Sequence, residues 1–149
     1  LVGRKMTSKG GRATMTYFAK IEGFIKENEG NEKMQPFLAP LKVGYERMGK
    51  AAGWLMENAP KNFDNAGSAS YEMLNIFGVV TLGFMWAQMA KVALAKLEAG
   101  EGNADFYNRK LVLAKFWLER EVPNTAAYLE RLELGSEDLM VLDEDAFVA

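Results

Sequence analysis

Apolar residues recur along this chain at helical spacing, and no sustained alternation of apolar and polar positions suggests a strand. The clearest case is Leu38, Leu41, Tyr45, Met48, Ala52 and Leu55, which follow one another at steps of three and four residues. That spacing predicts a helix over 36–58 with one seam for packing against a neighbour. Pro36 and Pro40 lie near its start, where a missing amide donor costs least, although Pro40 is far enough inside to bend the helix. Upstream, Ala13, Tyr17, Ile21 and Phe24 share one side of a predicted helix over 11–28. Downstream, Leu111, Ala114, Leu118, Val122, Ala126 and Leu129 form the apolar face of a helix over 104–134. Asn103 or Asp105 is available to cap it, and Pro123 should kink it. Gly135 should end it, with a short turn at 137–142 behind it.

Between these lies MLNIFGVVTLGFMWAQMA, Met73 to Ala90, with no charge and with Asn75, Thr81 and Gln88 as its polar interruptions. A membrane span needs about 20 predominantly apolar residues and gains from aromatic and basic anchors. This run is marginal in length and continues into charged turns at Lys91, Lys96 and Glu98. The expectation is therefore the central helix, over 68–99, of an all-α, up-down four-helix bundle with a short C-terminal helical appendage, and no membrane span. Being apolar all round, the helix should have partners on several sides. Phe77, Phe84, Met85 and Trp86 would each contribute about 2 kcal/mol on full burial, and Gly78 and Gly83 would let neighbouring backbones approach. On that reading, Asp at Leu82 or Trp86 unfolds the bundle, because an unpaired buried carboxylate is costly.

Composition narrows the chemistry. The 149 residues are 49% hydrophobic and 26% charged, which suits one globular domain. There is no cysteine, hence no disulfide framework and no thiolate nucleophile, and nothing points to an oxidising compartment. There is no histidine either, which removes the commonest general base and metal ligand. A net charge of −2 argues against a nucleic-acid partner, which would call for a concentrated basic face. The start, LVGRKMTSKGGR, lacks an apolar stretch of signal-peptide length and does not begin with Met, so a cytoplasmic piece of a longer chain is expected. Charge is uneven: Arg4, Lys5, Lys9 and Arg12 precede any acid, while Glu133, Glu137, Asp138, Asp143, Glu144 and Asp145 follow the last base, Arg131. Solvated ends of opposite sign account for this.

Each candidate motif has a plainer reading. A di-iron bundle needs Glu-x-x-His pairs, which cannot exist here. DEDAF at 143–147 could offer oxygen ligands to a hard cation but lacks EF-hand spacing, so an acidic tail is expected. GEGNAD at 100–105 has no preceding strand and reads as a helix connection. SKGGR at 8–12 places Lys9 and Arg12 beside a helix start able to hold an anion, though many helices begin this way. The nine Met and seventeen aromatic residues could line a cavity for a fatty chain, but stripes at helical spacing are more often core. No catalytic, cofactor-binding or metal-ligating residue is assigned.

The order of several segments carries more. LVGRKM and then KGG, LAPL before a helix ending in GWLMENA, the block AGSASYEMLNIFGVVTLGFMWAQMAKVAL, and DFYNRKLVLAKFWLEREVPNTAAYLERLELGSEDLMVLDEDAF together resemble the extreme C-terminal region of a subgroup of bacterial acyl-CoA dehydrogenases with an extra helical domain beyond the dehydrogenase core. The resemblance covers essentially the whole chain. It implies that residues 1–6 end a helix of that core and that 7–149 form one helical domain. It implies FAD, the acyl-CoA substrate and the glutamate base in the upstream core, a homo-oligomeric parent, and no catalytic residue of the family on any position of this chain. Arg4 and Lys5 would then lie near the CoA or flavin region, although bases at a helix C-terminus are also expected from the helix dipole. The domain would support core stability, oligomerisation or active-site cover. The alternative is a free-standing helical adaptor or lipid-binding bundle, with a cavity between the second and third helices.

Overall fold

The computed structural model describes residues 1–148, and among them the chain is helical with no strand. A π-helical turn, Val2–Met6, buries Val2 and Met6 and leads into a tight turn, Ser8–Gly11. There Lys9, Gly10 and Gly11 take positive φ in succession, and Gly11 starts α1 (Arg12–Asn28). Then follow α2 (Gln35–Asn58), the single turn α3 (Asp64–Ser68), α4 (Ser70–Glu98), α5 (Ala104–Phe116) and α6 (Thr125–Glu133). A last 3₁₀ turn, Glu144–Phe147, is capped by the Asp143 carboxylate, which accepts from the Ala146 amide at 3.1 Å.

Helices α2 and α4 form the central pair. Leu41 lies beside Gly83 and Gly44 beside Val80, while Lys33, just before α2, pairs with Glu98 at the far end of α4, so the two run antiparallel. Helix α1 lies against both: Phe18 meets Tyr45 and Phe77, and Phe24 sits edge-on to Phe84 with centroids 5.3 Å apart. On the other side α5 and α6 return along α4, with the Trp117 indole donating to the Val79 carbonyl at 3.2 Å and Tyr128 stacked edge-on with Tyr71.

The seam of α2 is set by size and spacing. Leu38, Leu41, Met48 and Leu55 are buried, with Gly44 and Ala51 beside them, while Tyr45 and Ala52 are half-buried at its edge. Two glycines permit close packing. A Cβ at Gly44 would stand 3.0 Å from Val122 and 3.2 Å from Val80, and one at Gly83 would stand 3.2 Å from Leu118. Gly78, expected to do the same, faces open space. On α1, Ile21 and Phe24 are buried and Tyr17 half-buried, whereas Ala13 is exposed.

The helix predicted over 104–134 is one path in four pieces. After Phe116 the backbone widens into a π turn, Trp117–Glu121, and tightens into a 3₁₀ turn, Val122–Asn124, around Pro123 before α6 begins. The cause is Pro123, which has no amide hydrogen to donate and crowds the preceding turn. Leu118, Val122 and Leu129 remain buried throughout, so the kink preserves the apolar face. Gly135, at φ 77°, ends α6, and Ser136 turns the chain by accepting from the Leu139 and Met140 amides.

Helix α4 is covered on fewer sides than its composition predicts. Its inner face, Met73, Ile76, Val80, Gly83, Phe84, Ala87, Ala90 and Ala93, is buried, but it is not covered on all sides within this chain. Leu82 is 43% exposed and Met85 51%, so neither is a core residue, and Trp86 is half-buried. By length and composition alone α4 could cross a membrane. Its buried inner face packs against α1, α2, α5 and α6.

Candidate functional site

The uncovered side of α4 has a regular pattern. Tyr71, Leu74, Gly78, Leu82, Met85, Met89 and Val92 succeed one another at steps of 3, 4, 4, 3, 4 and 3, which places them on one stripe opposite the core. The six with side chains are all exposed, from 36% at Met89 to 64% at Tyr71. At 1.5 Å per residue the stripe is about 32 Å long. It carries no charge, which distinguishes it from an ordinary solvated helix face.

The polar residues in the run are accounted for. The Asn75 amide donates to the Tyr71 carbonyl one turn back at 2.8 Å, and Thr81 accepts the Tyr17 hydroxyl at 2.6 Å on the α1 side. Gln88 lines a shallow groove of about 420 Å³ with Met89 and Val92 of α4 and Phe106 and Lys110 of α5. The Lys110 ammonium lies 5.6 Å from the Trp86 ring centre and 5.4 Å from that of Phe106, packing its stem along the groove wall. A second hollow on α5 is lined by Asp105, Asn108, Arg109, Val112 and Leu113. The α4–α5 groove thus has apolar walls with Lys110 at its rim, and Arg109 stands in the neighbouring hollow with Asp105. Neither of these bases has a carboxylate within salt-bridge distance among the described residues.

The motifs weighed for chemistry lie elsewhere and apart. Arg4 and Lys5 occupy the last turn of Val2–Met6, and Lys9 and Arg12 flank the start of α1. GEGNAD is the α4–α5 connection: Gly100 and Gly102 adopt positive φ, and the Asn103 side chain accepts from the Phe106 amide at 3.1 Å. In the acidic tail Asp143 is engaged as a cap, and among the described residues no three potential metal-ligating side chains converge. The shifted ionisable groups are ordinary. The hydrogen bond and charge of Glu22 raise Lys26, burial raises Tyr45, and the hydrogen bond from Lys61 lowers Glu57. They lie on α1 and α2, away from the groove. The site offers apolar area and positive charge, which suit binding, and no nucleophile paired with a base.

Two structural features are not evident from the sequence. The outward stripe was visible in its spacing, but a run apolar on every side gave no contrast between faces. A polar knot gave no signal at all. Asn65 Oδ1 accepts from both the amide and the hydroxyl of Ser136, at 3.1 and 2.9 Å, while the Asn65 amide donates to the Asn58 carbonyl at 3.2 Å. The knot pins the point where the acidic tail leaves the domain.

The family model described as acetyl-CoA dehydrogenase C-terminal like matches residues 17–143, from the middle of α1 to the acidic tail. The chain belongs to this family. It is also 29% identical to the broad-specificity linear acyl-CoA dehydrogenase FadE5 of Mycobacterium tuberculosis, in an alignment covering 97% of this chain and 25% of that protein. The chain thus spans about a quarter of that relative's length. Membership in the family relates it to acyl-CoA dehydrogenases, whose flavin and oxidoreductase chemistry goes with the family. The matched region contains α2, α4, α5, α6 and the groove.

Proposed function

We propose that this chain is the non-catalytic C-terminal domain of an FAD-dependent acyl-CoA dehydrogenase, and that it acts as an assembly surface. The observation that carries this reading is the uncharged outward stripe of α4, about 32 Å of apolar helix left open by a domain whose core is otherwise complete. The parent oxidises the Cα–Cβ bond of an acyl-CoA thioester in the cytoplasm, with base and flavin in its dehydrogenase core. This domain holds that core in its oligomer or covers its entrance.

The residues here do not fit a flavin. An isoalloxazine ring and its pyrophosphate call for an enclosed slot with convergent donors, whereas the groove between α4 and α5 is shallow, and the first turn of α5 is already capped by Asn103. A lipid-binding bundle is less well supported, because Leu41, Gly44, Val80 and Gly83 fill the α2–α4 interface where its cavity would lie.

The purified 149-residue chain should be colourless, helical by circular dichroism and inactive with acyl-CoA and an electron acceptor. Retention of stoichiometric flavin, or turnover, would overturn the assignment of chemistry to the core.

A further inference from the structure

The C-terminal segment leaves a run of apolar side chains uncovered. Leu139, Met140, Val141 and Leu142 are between 58% and 73% exposed, and Phe147 is 75% exposed. They sit among Glu137, Asp138, Asp143, Glu144 and Asp145, with no base after Arg131. The α4–α5 groove has the complementary character, with Met89, Val92 and Phe106 exposed along it and the Lys110 ammonium at its rim. An acid-flanked apolar run and a base-rimmed apolar groove match in both hydrophobicity and charge.

We infer that the tail of one copy docks in the α4–α5 groove of a second copy, with Leu139–Leu142 against the apolar walls and the flanking carboxylates on Lys110. Geometry excludes the chain's own groove. The tail is pinned at Ser136 to Asn65, one turn before Ala69, and Met89 lies about 30 Å further along α4 at 1.5 Å per residue. Leu142 is six residues beyond Ser136 and reaches about 20 Å even when fully extended. Two copies exchanging tails form a closed twofold dimer with both tails and both grooves used. This inference rests on reading the α4 face as an assembly surface, and it names the occupant.

The test is sedimentation or light scattering on the full 149-residue chain from about 1 to 100 μM. Expected is a monomer–dimer equilibrium that weakens about tenfold or more from low to high salt, because the rim pairs are screened. L139D/V141D in the tail and M89D/V92D in the groove should each abolish dimerisation while keeping the parent melting temperature, since all four positions are exposed. Mixing the two variants should restore a 1:1 complex, because one intact tail then meets one intact groove. A chain monomeric throughout, a tail variant that dimerises normally, or a mixture that stays monomeric overturns the proposal. If tail variants have no effect but M89D/V92D still disrupts assembly of the longer dehydrogenase polypeptide, the assembly reading stands and this occupant is wrong. If neither acts, both fail.

Discussion

Gly44 and Gly78 occupy the two central helices, and the same substitution should act in opposite directions at them. At Gly44 a methyl group would press on the stiff side chains of Val122 and Val80, at 3.0 and 3.2 Å, whereas at Gly78 it meets nothing within 4 Å. Gly44→Ala should lower stability by about 1 kcal/mol or more despite the better helix propensity of Ala, and Gly78→Ala should raise it by about 0.5–1 kcal/mol. Urea unfolding of the isolated chain distinguishes the two. Helix α4 offers a matching pair. Ile76→Asp places an unpaired carboxylate in the core and should abolish the cooperative melt, while Leu82→Asp, at a position 43% exposed, should melt within a few degrees of the parent chain. Loss of folding in Leu82→Asp would show that the outward stripe is core after all.

The kinked path from α5 to α6 shows how an element can be legible while its inner workings are not. Pro123 announced the kink, and the buried series Ala114, Leu118, Val122 and Leu129 was readable because its spacing survives it. The polar arrangement that stabilises the bend was not readable. The Thr125 hydroxyl donates to the Val122 carbonyl at 2.6 Å and accepts from the Arg47 guanidinium of α2 at 3.1 Å, a partner 78 residues away. Thr125→Val should therefore cost about 1–2 kcal/mol by deleting both side-chain hydrogen bonds, to the Val122 carbonyl and from Arg47, read as a shift of the unfolding midpoint. Asn103 as the cap of α5 and Gly135 as the stop of α6 were legible because each acts on its own first or last turn. The Asn65–Ser136 knot joins positions 71 residues apart and leaves no local trace. On α4 the obstacle was different: an apolar run identifies a helix, but without polar contrast it hides which of its faces the rest of the chain covers.

At the scale of the whole molecule, the lack of histidine has a measurable consequence. Glu57 titrates below the usual carboxylate range because Lys61 donates to it, so its contribution is present above the unfolded value and is lost as pH falls through the folded one. Tyr45 is raised by burial and Lys26 by Glu22, so theirs are present below the unfolded values and are lost as pH rises through the folded ones. Nothing in this set titrates near neutrality, and thermal stability should be level from about pH 6 to 9 and decline on either side. An inflection near pH 6.5 would contradict this.

The same scale holds the central claim, that the domain serves its parent through the outer face of α4. The most direct measurement is the oligomeric state and flavin content of the longer dehydrogenase polypeptide carrying Met85→Asp and Met89→Asp, both exposed in this domain. Full flavin occupancy with a weakened oligomer, while the isolated double variant keeps its melting temperature, is the predicted result. An unchanged oligomer with unchanged activity would contradict the assembly role of that face.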